Sequence, residues 1–127
     1  MRYLLDTHVA LWLFEGNEKL SQEARNIIFN AESEVYISIV SAWEVAIKVS
    51  LNKLDFEGGS EVFLSSVKIY NMDLLGVKGE YITVVEKLPY IHRDPFDRLI
   101  VSTALVEGLT IITADENIQK YDVPWVW

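Results

Sequence analysis

The order of apolar and polar positions along the chain predicts strands that alternate with helices. Short β-branched or apolar runs predict strands, and apolar residues three or four positions apart predict helices. The predicted strands span residues 2–5, 35–39, 72–75 and 109–113, with a short one near 123–126. The predicted helices span residues 8–14, 22–31, 41–51, 61–69, 78–87 and 95–107. This alternation is typical of an α/β fold in which helices cover both faces of a mostly parallel sheet.

Residues that begin and end helices support this map. Ser21 and Ser60 are expected to cap the second and fourth helices, because a serine side chain can accept a hydrogen bond from a free amide of the first turn. Asp94-Pro95 is expected to open the last long helix, with Asp94 as its N-cap. Gly58-Gly59 is the strongest interruption of the pattern, and we interpret it as a loop within one domain.

The composition indicates one compact domain comprising residues 1–127. Half of the residues are apolar, which is enough for a buried core. No apolar run approaches the ~18 residues of a membrane span, and Asp6 follows the first apolar run too early for a signal peptide. The chain has no cysteine, which excludes disulfides, zinc–thiolate sites and thiol nucleophiles. The sequence therefore predicts a cytoplasmic protein without a membrane segment.

The formal net charge of −8 weakens, without removing, an interpretation as a nucleic-acid-binding protein. Contacts of basic residues with phosphates usually supply most of the affinity for nucleic acid. Part of the negative charge would be balanced if several of the 19 acidic residues bound divalent metal ions. The charge alone therefore does not decide between nucleic acid, a basic partner and a metal site.

Four acidic residues occupy similar places in the predicted fold. Asp6 and Asp115 closely follow predicted strands. Glu44 follows the second strand after a short turn, and Asp97 opens the last long helix. The carboxyl ends of parallel strands and the helices that begin there converge on one crevice. Carboxylates in such a crevice repel one another unless a cation lies between them, and Mg²⁺ and Mn²⁺ prefer oxygen ligands. The sequence therefore predicts a site for a hard metal ion.

Each of these acidic residues also has a purely structural interpretation. Ser41 and Glu44 have the spacing of a capping box at a helix start. Asp94 as an N-cap commits its side chain to backbone amides, whereas Asp97 in the first turn is free to project. Asp94 is therefore the alternative or outer ligand. The remaining two acidic residues would be ordinary turn residues after strands. The four positions taken together favour the metal site.

Other polar residues beside the predicted site could orient ligands or contact a substrate. Threonine and serine hydroxyls could position metal ligands or waters, and basic side chains could contact a phosphate backbone or pair with neighbouring acids. The hydroxyl candidates are Thr7, Ser41 and Thr113, and the basic candidates are Lys48, Arg93 and Arg98. His8 and His92 belong to no hydrolase or zinc-protease motif, so they are assigned no catalytic role.

Four segments together resemble the successive motifs of PIN-domain ribonucleases, and most closely the VapC-like toxins of toxin–antitoxin pairs. The segments are Leu5-Asp6-Thr7-His8, Ser41-Ala42-Trp43-Glu44-Val45-Ala46-Ile47-Lys48, His92-Arg93-Asp94-Pro95-Phe96-Asp97-Arg98-Leu99-Ile100 and Thr113-Ala114-Asp115. The resemblance covers essentially the whole chain. It implies a PIN-like three-layer α/β/α sandwich with four to five strands, and an endoribonuclease that uses one or two Mg²⁺ or Mn²⁺ ions. It also implies a homodimer and a cognate VapB-type antitoxin. The family's metal-binding and catalytic residues fall on Asp6, Glu44, Asp97 and Asp115.

The expected chemistry is metal-assisted hydrolysis of RNA phosphodiester bonds, which needs no nucleophile from the protein. Two alternatives remain open. A Mg²⁺-dependent phosphatase or phosphotransfer domain also clusters aspartates at strand ends, although Asp6 lacks the second aspartate two positions on. A non-catalytic interaction module would use the acidic crevice to bind a basic peptide.

Overall fold

A five-stranded sheet lies at the centre of the computed structural model, which describes residues 1–127. The strands are β1 (Arg2–Leu5), β2 (Glu34–Ser38), β3 (Asp73–Leu75), β4 (Thr110–Ile112) and β5 (Trp125–Val126). The helices are α1 (Thr7–Glu15), α2 (Gln22–Ile28), α3 (Ile39–Ser50), α4 (Gly59–Ile69), α5 (Gly79–Lys87), α6 (Pro95–Glu107) and α7 (Glu116–Gln119). The strand order is β3-β2-β1-β4-β5, and every neighbouring pair is parallel. The predicted parallel sheet is confirmed.

The central strand β1 contributes side chains to two separate hydrophobic cores. Tyr3 and Leu5 belong to a core formed with α1, α2, α3 and α4 on one face of the sheet. Leu4 belongs to the other core, which includes α6 and α7. Successive side chains of a strand point to opposite faces, so one short apolar run can serve both cores. Helices therefore cover both faces, and the predicted three-layer α/β/α sandwich is confirmed.

The start of α3 differs from the prediction. Ser38, the last residue of β2, caps the helix because its side chain accepts a hydrogen bond from Val40 N at 3.1 Å. The helix therefore begins at Ile39 with no intervening turn, and Ser41 already lies inside it. The predicted capping box of Ser41 and Glu44 is wrong. The β-branched pair Ile39-Val40 looked like a continuation of the strand, because β-branched residues favour strands in the absence of other information.

Two other helix boundaries also differ. Helix α4 begins at Gly59 after Gly58, so Ser60 lies inside the helix and is not its cap. Gly58 has a φ of 84°, and a Cβ there would overlap the side chain of Val62, so this position requires glycine. Helix α2 ends at Ile28 rather than near residue 31. The predictions for Ser21 and Asp94 as N-caps are confirmed.

Helix α7 was not predicted. It spans only Glu116–Gln119, and Asp115 caps it by accepting a hydrogen bond from Asn117 N at 2.8 Å. One turn of helix is too short to give a recognisable period. No helix of the chain has the length and apolar character needed to cross a bilayer.

Candidate active site

The carboxyl ends of β1 and β4 bring Asp6 and Thr113 side by side. The last residues of the two strands, Leu5 and Ile112, are paired in the sheet. Asp6 N continues this pairing with a hydrogen bond of 3.1 Å to Ile112 O. The Thr113 hydroxyl donates to Asp6 Oδ2 at 2.9 Å, and it accepts a hydrogen bond of 2.9 Å from Asp115 N. One threonine thus joins two of the predicted metal ligands.

Helix α3 supplies Glu44 to the same crevice. Glu44 is 2% exposed, and its Oε2 forms a 2.6 Å ion pair with Lys48 one turn further along. The Thr7 hydroxyl donates to Ser41 Oγ at 2.8 Å, which ties the first turn of α1 to that of α3. Ser41, Glu44 and Lys48 are spaced so that they share one face of α3. The hydroxyls of Thr7 and Ser41 therefore position the helix rather than bind its amides.

Asp97 reaches the crevice from the first turn of α6. Asp94 caps this helix, and its Oδ1 accepts hydrogen bonds from Phe96 N at 2.9 Å and Asp97 N at 3.1 Å. The Asp94 side chain is therefore committed to the backbone, as expected. The Asp97 carboxylate makes no cap and instead lies with Oδ2 3.2 Å from Nε2 of His92. Geometry thus favours Asp97 over Asp94 as a ligand.

The four acidic residues lie close enough together to affect the pKa values of Asp6 and Asp97. Burial, followed by the charges of the Asp6, Asp94, Asp115 and Glu44 carboxylates, raises the pKa of Asp97 to about 8. Burial also raises the pKa of Asp6 to about 6, against the hydrogen bond from Thr113 and the nearby His8, which both lower it. Asp115 and Glu44 add to the rise at Asp6. The structure therefore brings all four acidic residues into one electrostatically coupled crevice.

Two carboxylate oxygens in this crevice are buried without a hydrogen-bond partner, Asp6 Oδ1 and Glu44 Oε1. A buried acceptor of this kind is costly unless something satisfies it. Side chains of aspartate, glutamate and histidine are not grouped in threes at metal-ligating distances. Each of the four ligand candidates has one oxygen on a protein donor: Thr113 for Asp6, Lys48 for Glu44, His92 for Asp97 and the amide of Asn117 for Asp115. The oxygens left over fit a hard divalent cation.

The basic residues near the site differ in their burial and in the groups they contact. Arg98 is 4% exposed and donates to a tyrosine hydroxyl and to backbone carbonyls. The prediction that Arg98 contacts a substrate is therefore wrong, because its donors are already used within the fold. Lys48 is paired with Glu44 at the edge of the crevice. Arg93 is exposed and stays a candidate for contact with phosphate.

One residue beside the site was missed. His92 was assigned no role, yet its imidazole lies between Asp97 and the hydroxyl of Tyr121, 2.9 Å from Nδ1. It precedes the helix in an irregular loop, and Tyr121 lies 29 positions further along the chain. No spacing rule connects such residues, so only the tertiary structure reveals the contact.

The sequence model of the family described as PIN domain matches residues 3–124. The chain belongs to the PIN-domain family. Among characterised proteins, this PIN domain is similar to "Ribonuclease VapC22" of Mycobacterium tuberculosis, with 26% identity over 122 residues, which is 95% of this chain and 92% of that protein.

Solved structures share the fold of this PIN domain. A chain of the VapBC2 complex of Rickettsia felis bound to promoter DNA superposes with a TM-score of 0.74 at 16% identity, covering 100% of this chain and 99% of that one. A chain of DNA-bound VapBC from Salmonella typhimurium gives 0.69 at 16% identity, with 99% and 97% covered. A chain of VapBC-1 from Haemophilus influenzae gives 0.65 at 18% identity, with 99% and 97% covered. The PIN-like fold expected from the sequence is thus confirmed.

Proposed function

We propose that this PIN domain is a metal-dependent endoribonuclease and the toxin of a toxin–antitoxin pair. The observation that carries the proposal is the pair of buried, unpartnered carboxylate oxygens, Asp6 Oδ1 and Glu44 Oε1, beside Asp97. The likeness to a protein named as a ribonuclease VapC supports RNA as the substrate. The alternatives of a phosphatase and of an acidic interaction module would use the same acidic crevice, and the likeness to a ribonuclease favours the endoribonuclease over both.

The proposed ligands of one or two Mg²⁺ or Mn²⁺ ions are Asp6, Glu44, Asp97 and Asp115. When bound, such an ion supplies Lewis-acid chemistry, lowering the pKa of a water and offsetting negative charge on the scissile phosphate. The protein contributes the fixed positions of the carboxylates. Thr113 holds Asp6, and the Thr7–Ser41 hydrogen bond holds the start of α3, from which Glu44 projects one turn later.

The surroundings of the crevice fit an anionic substrate only when the acidic charge is offset. The chain carries a formal charge of −8, which by itself repels RNA. Lys48 at the crevice edge and the exposed Arg93 are the proposed contacts to the phosphate backbone. Binding of RNA is therefore expected to depend on the divalent ion as well as on these two side chains.

The proposed partners are a cognate VapB-type antitoxin and a second copy of this chain. Several structures with the same fold are described as VapBC or toxin–antitoxin complexes, among them those of Rickettsia felis and Haemophilus influenzae. An antitoxin that inhibits the enzyme would need to act on the acidic crevice or on access to it. A basic side chain of the antitoxin could take the place of the cation there.

The test is cleavage of RNA by the purified protein. Cleavage should require Mg²⁺ or Mn²⁺, stop on addition of EDTA, and be lost in Asp6→Asn and in Asp97→Asn. Asp73→Asn is the matched control, because Asp73 is an exposed aspartate on β3 away from the crevice. Cleavage that survives both the chelator and the substitutions would refute the proposal. Release of phosphate from a phosphomonoester without cleavage of RNA would favour the phosphatase instead.

A further inference from the structure

A chain of hydrogen bonds leads from Arg98 to the candidate ligand Asp97. Arg98 Nη1 donates to the Tyr121 hydroxyl at 3.0 Å, and that hydroxyl lies 2.9 Å from Nδ1 of His92. Nε2 of His92 lies 3.2 Å from Asp97 Oδ2. The side chains of His92 and Asp97 are only 13% and 11% exposed. Water therefore competes little with these hydrogen bonds, and their geometry is well defined.

Arg98 determines which atom donates and which accepts in each of these hydrogen bonds. A guanidinium has donors only, so the Tyr121 oxygen accepts from Arg98 and keeps its own proton to donate. Donation from Tyr121 to Nδ1 of His92 leaves the proton of a neutral imidazole on Nε2. Nε2–H then donates to Oδ2 of Asp97. With this orientation each hydrogen bond from Arg98 to Asp97 has one donor and one acceptor, and the last acceptor is Oδ2 of Asp97.

The same arginine fixes the loop that carries His92. Its planar guanidinium lies 4.2 Å from the centroid of the Tyr90 ring. The imidazole of His92 packs edge-on against Tyr121, with 5.5 Å between ring centroids. Arg98 also donates to three backbone carbonyls at the end of α5 and in the following loop: Val85 at 3.2 Å, Leu88 at 3.4 Å and Pro89 at 2.9 Å. The imidazole is therefore held by the edge-on contact with Tyr121 and by the hydrogen bond at its Nδ1, in a loop that Arg98 anchors.

We infer that His92, oriented by Tyr121 and Arg98, is a positioning residue that fixes the Asp97 carboxylate for metal binding. The inference rests on the proposed function, because Asp97 matters in this way only if the crevice binds a divalent ion. With Oδ2 held by the imidazole, Oδ1 of Asp97 is left for the crevice that it shares with Asp6 and Glu44. Removing the partner that orients a metal-binding carboxylate typically weakens metal affinity ~10–100-fold.

The test measures Mn²⁺ binding by calorimetry, independently of any RNA. His92→Gln places its amide nitrogen near the position of Nε2 and should keep most of the affinity. His92→Asn places its amide nitrogen near Nδ1 and cannot reach Asp97, so Mn²⁺ should bind ~10–100-fold more weakly. Tyr121→Phe keeps the aromatic ring but frees the imidazole to rotate, and it should weaken binding in the same direction by less. Tyr70→Phe is the control for loss of a tyrosine hydroxyl, since Tyr70 packs on Phe14 and Phe29.

Two results separate this inference from the proposed function. Mn²⁺ affinity that is unchanged in both His92→Asn and Tyr121→Phe, while Asp97→Asn loses binding, would overturn the positioning role alone. Wild-type protein that binds no Mn²⁺, or Asp97→Asn that binds it normally, would overturn the metal site and the inference together. Circular dichroism tests whether each variant is folded. If His92→Asn does not fold, Tyr121→Phe decides, because it retains the imidazole.

Discussion

The Thr113 hydroxyl donates a 2.9 Å hydrogen bond to Asp6 Oδ2 across a separation of 107 residues in the chain. Both residues are buried, at 0% and 2% exposure. The contact exists because β1 and β4 are neighbours in the sheet and end at the same level. It satisfies one oxygen of a buried carboxylate and leaves the other to the crevice.

Replacing Thr113 by valine should destabilise the fold. The substitution keeps the shape of the side chain but leaves Oδ2 of Asp6 and the amide of Asp115 without their partner. A buried polar group left unsatisfied costs ~1–3 kcal/mol. Urea denaturation at pH 7 without metal measures the loss, and the pKa of Asp6 should rise because the hydrogen bond now lowering it is gone.

The matched control for Thr113→Val is Thr83→Val. Thr83 is exposed on α5, where its hydroxyl donates to Glu80 O within the same helix. An exposed substitution of this kind should change the free energy of unfolding by less than ~0.5 kcal/mol. Equal effects of the two substitutions would show that the Thr113 hydroxyl does not support Asp6.

The stability of the EDTA-treated protein should fall as pH rises from about 4 to about 8. Asp6 and Asp97 have folded-state pKa values of about 6 and about 8, above the ordinary aspartate value of 3.8. Between these limits the folded state binds more protons than the unfolded state, so raising the pH favours unfolding. The stability contributed by the two protonated carboxyls is complete below pH ~4 and lost as pH passes the folded values.

Asp97→Asn separates the two steps of this pH dependence. The amide does not ionise, so the loss of stability between pH 6 and pH 8 should disappear while the part due to Asp6 remains. Urea denaturation across this pH range measures both steps. Asp73→Asn, at an exposed position, should leave the profile unchanged. A wild-type profile that is flat from pH 4 to pH 8 would contradict the raised pKa values.

Divalent ions should raise the melting temperature at pH 7.5. An ion that binds only the folded state at 100 times its Kd adds ~2.7 kcal/mol, which corresponds to about 10 °C for a chain of this size. The gain with Mn²⁺ should be lost in Asp6→Asn, because that variant lacks an unpartnered buried oxygen of the site. Differential scanning calorimetry with and without Mn²⁺ gives the comparison, and an identical gain in Asp6→Asn would place the ion elsewhere.

Lys48→Gln should make the stability of the folded protein more dependent on bound metal. Lys48 is the only basic side chain paired with Glu44, which is 3% exposed on its side chain. Loss of the ammonium leaves a buried carboxylate without a charged partner and should cost ~1–3 kcal/mol in EDTA. Added Mn²⁺ should restore part of this loss, so the gain in melting temperature should exceed that of the wild type.

The control for Lys48→Gln is Lys78→Gln. Lys78 forms a 3.1 Å pair with Glu107, but its side chain is 59% exposed. Exposed pairs contribute ~0–1 kcal/mol, so this variant should change stability little and respond to Mn²⁺ as the wild type does. A Lys48→Gln variant that behaves the same way would show that Lys48 does not balance the charge of Glu44.

Sequence reasoning reached most of the fold because its signals are local. Leu4 and Leu5 sit in a short apolar run that is buried on both faces, which is the pattern of a central parallel strand. Asp94-Pro95 predicted the start of α6 because an N-cap and an N1 proline act within four residues. The predicted start of α3 was wrong because β2 and α3 meet at Ser38 without a turn. Residue propensities alone do not show where the strand ends and the helix begins in such a segment.

The sequence by itself determined the alternation of strands and helices, placed Asp6 and Asp115 just after strands, and favoured Asp97 over Asp94 as a ligand. These follow from hydrophobic period and from capping, which depend on near neighbours along the chain. The tertiary structure decided which donor forms a hydrogen bond with each carboxylate. It showed that Arg98 is buried and binds groups within the fold instead of a substrate, and it placed His92 beside Asp97. Those contacts join residues that only packing brings together. Burial there removes competing water and strengthens each hydrogen bond.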